Sequence, residues 1–159
     1  MHPSAAAVMM ILLGTVSVDE VVVPLKQVPA PVLNAVKKRF PKAQIKQATR
    51  VVEAGVTTYE IELDRNGMYI EVALTPAGVI TEIRREITEK DLPRAVTKTL
   101  ATKYPKAEID DICAIYVVEK GVERLLQYEV DLVTADNREL ELVVSPAGEV
   151  LEETQTNKK

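Results

Sequence analysis

Histidine and cysteine are almost missing from this chain, with one His, His2, and one Cys, Cys113, in 159 residues. A single cysteine excludes an internal disulfide and any cysteine-based metal cluster. A single histidine at the start excludes a His-rich metal site or a His-containing triad. Tryptophan is absent and Phe40 is the only phenylalanine, so the core must be assembled mainly from Val, Ile and Leu, residues enriched in strands. Basic charge is short as well: 20 Lys and Arg against 24 Asp and Glu leave a net charge of -4. That sign argues against a nucleic-acid footprint, which needs a basic stripe to displace counterions from phosphates. What is present, 47% hydrophobic and 28% charged residues, is ordinary for a globular protein and too apolar for intrinsic disorder.

Ala5 to Val18 is nearly continuous in small and apolar residues. The run is shorter than the roughly 20 residues of a spanning helix. Thr15 and Ser17 are small enough to precede a cleavage, so residues 1–17 read as a secretory signal removed after Ser17. No Lys or Arg precedes the run, which keeps a retained N-terminal anchor as the alternative. No Cys follows it, so a lipid anchor by that route is excluded. Residues 18–27 read as a linker.

From Val28 the chain says the same thing twice. Val28-Pro29 opens a helix, since Pro is tolerated in a first turn where its missing N–H has no partner to lose. Val32, Val36 and Phe40 then form one apolar stripe that stops at Pro41. Lys37, Lys38 and Arg39 lie mostly outside the stripe, where cations offset the helix dipole; an anionic-lipid patch is the other reading. Alternating strands are expected at Ile45–Glu53, Val56–Asp64, Met68–Leu74 and Val79–Ile87, with turns at Ala54-Gly55, Asn66-Gly67 and Thr75 to Gly78. Thr88 to Asp91 suits a second helix start. Val96, Leu100 and Tyr104 restate Val32, Val36 and Phe40 at a constant offset, Tyr128 to Leu132 restates Tyr59 to Leu63, and Ser145 to Gly148 restates Thr75 to Gly78. The expected units are residues 28–87 and 88–153, with a polar tail at 154–159.

The ensemble of an apolar residue before Pro, an apolar helix, Phe/Tyr-Pro-Lys-Ala, Tyr-Glu-apolar-acidic-Leu and a Pro-Ala-Gly turn resembles the PepSY-like domain, in tandem. The resemblance covers Val28 to about Glu153. It implies an α+β fold similar to that of the beta-lactamase inhibitor protein: two tandem repeats, each a helix followed by a four-stranded antiparallel sheet packed on it. It also implies an exported bacterial protein, periplasmic or secreted, that binds or inhibits proteases or other enzymes. It brings no catalytic residues, and no enzyme activity, cofactor or metal site is expected.

Strand register picks out the candidate site. A two-residue Asn66-Gly67 loop puts Ile61 and Leu63 on the helix side and Glu62 opposite Glu71 on the open side. A four-residue turn pairing Leu74 with Val79 puts Glu71 opposite Glu82. In the second repeat a three-residue loop, Ala135 to Asn137, pairs Asp131 with Glu141, and the Ser145 to Gly148 turn pairs Glu141 with Glu152. Like charges directly opposite on a sheet cost about 0.2–1 kcal/mol per pair, which a basic partner or, less readily, a divalent cation would relieve. A solvated face offset by Lys46, Arg50, Arg84 and Arg85 is the plain alternative. Tyr69, placed beside Arg84 on the open face, could anchor an interface. Cys113 reads as a buried hydrophobe, because no His stands ready to activate it. The expected partner is a protein or small ligand, with no nucleic acid and no membrane span once the signal is removed.

Overall fold

The computed structural model describes residues 17–156. The expected signal or anchor, apart from Ser17, lies outside the described residues. Nine strands form one antiparallel sheet in chain order: β1 (Val18–Val22), β2 (Gln44–Glu53), β3 (Val56–Arg65), β4 (Met68–Leu74), β5 (Ile80–Glu86), β6 (Glu108–Glu119), β7 (Val122–Val133), β8 (Glu139–Val144) and β9 (Val150–Gln155). Two helices, α1 (Ala30–Arg39) and α2 (Arg94–Lys103), precede β2 and β6.

The sheets expected of the two repeats join edge to edge. β5 pairs with β6 from Glu82↔Val117 to Glu86↔Cys113, so the repeats share a continuous sheet. The stretch expected as a linker holds β1, an exposed edge strand paired with β2. Its five residues are too short to display a period. At the other edge, β9 carries Thr154 and Gln155 of the expected tail.

Each helix begins after a proline, Pro29 or Pro93, and ends at an aromatic C-cap, Phe40 or Tyr104, followed by Pro41 or Pro105. Thr88 to Asp91 is not the helix start itself. It is a separate 3₁₀ turn closed by a capping box between Thr88 and Asp91, and the first repeat has a matching turn at Leu25–Gln27. The α1 stripe of Val32, Val36 and Phe40 packs on Ile61, Leu63, Ile70, Val72, Leu74 and Ile83. Val96 and Leu100 of α2 pack on Ile112, Val130, Leu132, Leu140, Leu142 and Val144. Each such aliphatic side chain contributes roughly 1.5–3 kcal/mol when fully buried.

The tight hairpins use the left-handed backbone that Gly accepts most easily, as at Asn66 (φ 58°) and Gly67 (φ 81°). Gly78 and Gly148 serve a second purpose. A Cβ on Gly78 would stand 2.5 Å from the Pro31 carbonyl oxygen, and one on Gly148 2.5 Å from that of Ala95. In each repeat, the Pro-Ala-Gly turn is pressed against the first turn of the helix.

The open face of the sheet as candidate functional site

The two core clusters put both helices on one face, and the alternation of the strands sends the acidic residues to the other. Glu62 stands opposite Glu71, and Asp131 opposite Glu141. The pairing expected on the next strand is different. Glu71 faces Arg84, not Glu82, and Glu82 faces Ala73. Glu141 faces Thr154, and Glu152 faces Val143.

The cause is the same in both repeats. The turn carries one residue more than counted, so Leu74 pairs with Ile80 and Val144 with Val150. A bulge next to that pair adds another residue, Thr81 or Leu151. Thr81 ties itself down by donating from Oγ1 to the Ala73 carbonyl at 3.2 Å. Two extra residues preserve the face, because strand side chains alternate with period two, but they change the partner. In the first repeat a repulsive Glu–Glu pair becomes a Glu–Arg pair.

Arg84 is the hub of what results. Its guanidinium makes a two-pronged bond to Glu129 of β7, with Nη1 donating to Oε1 at 3.0 Å and Nη2 to Oε2. The side chain therefore reaches past β6, where Cys113 and Ile115 sit on the same face. On the other side its Nε lies 3.7 Å from Glu71 Oε1. The Tyr69 hydroxyl donates to Glu71 Oε2 at 2.8 Å, and the Tyr69 N–H to Glu86 Oε2 at 2.9 Å. Gln47 Nε2 donates to Glu62 Oε1 at 3.2 Å. Glu71, Arg84 and Glu129 keep only 5%, 9% and 8% of their surface exposed. The alternative of a solvated face therefore does not describe its centre. Glu62, Glu82, Asp131 and Glu141 are half-buried around it, and Glu152 is exposed.

Burial raises the pKa of Glu71 above the ordinary carboxylate value, despite the opposing hydrogen bond from Tyr69 and charge of Arg84. Glu82 is raised by burial, and Glu141 by burial and then by Glu129 and Asp131. Burial alone would lower Arg84, but Glu129 and Glu71 outweigh it and hold the guanidinium charged. Tyr69 is pushed up by burial and by Glu71, and Cys113 is pushed up to about 12 by burial and Asp111. A thiol that reluctant to ionise fits a packing role.

Sequence reasoning missed Glu129. It lies in the repeated Tyr-Glu-Val-Asp-Leu stretch, but its bond to Arg84 depends on β5 pairing with β6 across the repeat boundary. No turn signal marks that pairing. A second cross-boundary cluster sits on the helix side. Arg85 of β5 grips Glu123 of β7 with Nη2 donating to Oε1 at 2.8 Å and Nη1 2.8 Å from Oε2. Arg39 of α1 bonds the same carboxylate, and the Arg85 guanidinium stacks 4.7 Å over the Tyr116 ring.

A helix-backed antiparallel sheet built by duplication, with a charged open face, defines the class. Residues 15–82 and 66–152 each match the family described as "Putative beta-lactamase-inhibitor-like, PepSY-like", and the chain belongs to that family. Its fold is shared with solved structures from several Bacteroides species. A BLIP-like protein from Bacteroides fragilis is 21% identical with a TM-score of 0.59, over 82% of this chain and 89% of that one. A protein from Bacteroides eggerthii, described among "putative periplasmic proteins", is 19% identical with a TM-score of 0.63, over 80% and 88%. No curated protein matches the chain.

Proposed function

We propose that the protein is an exported, non-catalytic binding module that takes a protein partner on the open face of its sheet and regulates or inhibits that partner, a protease or another envelope enzyme. The observation that carries this reading is the charge imbalance of the face. Glu62, Glu71, Glu82, Glu129, Asp131 and Glu141 gather round a single buried cation, Arg84, while the opposite face is spent on packing the helices. Such a face favours a basic partner surface and, through steering, fast association at low salt. Family membership supports a binding role over catalysis. Acid-base work needs two groups whose pKa values are driven apart, whereas Glu71, Glu82 and Glu141 are all driven the same way. Export rests on the apolar run before Val18 and on the periplasmic description of the eggerthii neighbour.

The test is an affinity capture from the native cell envelope with the wild-type chain and with a Glu62→Lys/Asp131→Lys variant checked for native circular dichroism. The expected result is a partner held by the wild type, released by moderate salt and lost by the variant. A partner recovered equally by both would sink the open-face reading. A cation-binding role is the competing reading of the same carboxylates, and calcium raising the melting temperature at millimolar concentration would favour it.

A further inference from the structure

On the helix side, at the seam between the two repeats, lies a cavity of about 370 Å³. Ala35 of α1, Ile80 and Ile83 of β5 and Val118 of β6 line it, and Val79 lines it with 59% of its own surface exposed. The only charged residues in the lining are Lys38 and Arg39, from the last turn of α1. Arg39 is engaged by Glu123, whereas Lys38 has no hydrogen bond or ion pair among the described residues. Arg39 and Arg85 already share the one carboxylate, Glu123, in a chain whose net charge is -4.

The seam exists once. The second repeat has the same helix and strand flank, α2 beside β9, but β9 is the last strand of the sheet and nothing continues it among the described residues. The cavity is therefore a product of tandem joining, in the kind of place between units where ligand sites concentrate, and its volume falls within the roughly 300–1,000 Å³ usual for them. No hydroxyl, amide or carboxylate side chain belongs to the lining. A sugar or a polar peptide would leave its hydrogen-bonding groups unmet, and a cationic ligand would meet like charge. An aliphatic body with one anionic end meets neither objection. We propose that the seam binds a single-chain amphiphilic carboxylate of the fatty-acid class, its alkyl chain against Val79, Ile80 and Val118 and its carboxylate at Lys38.

The proposal is independent of the open-face reading, because the two sites lie on opposite faces of the sheet. Decanoate titrated into the full chain, followed by methyl NMR, tests it. The expected result is saturable shifts of Val79, Ile80, Ile83 and Val118. Decanol and the Lys38→Glu variant with decanoate should each bind at least about tenfold more weakly. Ala35→Leu, which adds volume at the cavity wall, should weaken decanoate similarly. Lys38 is exposed, so Lys38→Glu leaves the fold intact and decides the matter even where Ala35→Leu perturbs packing. The proposal is overturned by shifts that do not saturate, by equal affinity for decanol or in Lys38→Glu, or by shifts confined to Ile115 and Val143 of the open face.

Discussion

At Arg84, neighbouring carboxylates of the same type have different jobs. Glu129 holds the guanidinium by both oxygens, while Glu71 approaches it only at 3.7 Å and is raised in pKa by its burial. Glu129→Gln should therefore destabilise the fold by about 3 kcal/mol, because it strips a buried cation of its main partner. Glu71→Gln, which keeps an acceptor for the Tyr69 hydroxyl and removes a charge that burial disfavours, should cost less than about 1 kcal/mol or stabilise. Urea melts of the two variants check the ordering. The pH dependence separates the carboxylates again. Glu123 is held below its ordinary value by the hydrogen bond from Arg85 and that from Arg39, so its contribution is present at neutral pH and is lost as pH falls through its folded value. Glu71, Glu82 and Glu141 are raised, so the folded state takes up their protons first and gains stability as pH falls from neutral towards the ordinary value of 4.5. Stability measured by urea titration should rise on mild acidification and then fall below that value. In Glu71→Gln the rise should shrink.

Among the elements, the turn before the last strand of each repeat decides most. Gly55 and Gly148 both have positive φ, but a Cβ at Gly55 meets open space while one at Gly148 meets the α2 backbone. Gly55→Ala should cost about 1 kcal/mol and Gly148→Ala about 3 kcal/mol or more, read as midpoint shifts in denaturant. The same turn explains where sequence reasoning succeeded and stopped. The Asn66-Gly67 loop fixes its own register, because its residues dictate the turn type, and Glu62 opposite Glu71 follows by counting. The Thr75 to Gly78 turn and the bulge at Thr81 leave no such mark. Thr81 is an ordinary strand residue, and its extra place in the ladder arises from how the turn docks on α1. Counting therefore placed Glu82 where Arg84 stands.

At the level of the whole molecule, the helices and the twofold repeat were legible because both rest on local patterns. The joining of the sheets was not, because β5 and β6 are separated by all of α2 and neither sequence names the other. That pairing, together with the Arg39–Glu123–Arg85 cluster, predicts one cooperative unit. Glu123→Ala should weaken hydrogen-exchange protection in β2–β4 of the first repeat as well as in β7 and β8 of the second. Protection lost only around β7 would mean that the repeats unfold separately.

The order of the strands in space is also their order in the chain. A polypeptide delivered N-terminus first needs to store no unpaired strand while awaiting a distant mate, since each strand meets its neighbour as soon as the intervening turn or helix has emerged. The growing edge is then always the newest strand, so assembly can advance like a zip, with short loops to close at most steps. Folding that starts before the second repeat has been synthesised is compatible with such an order.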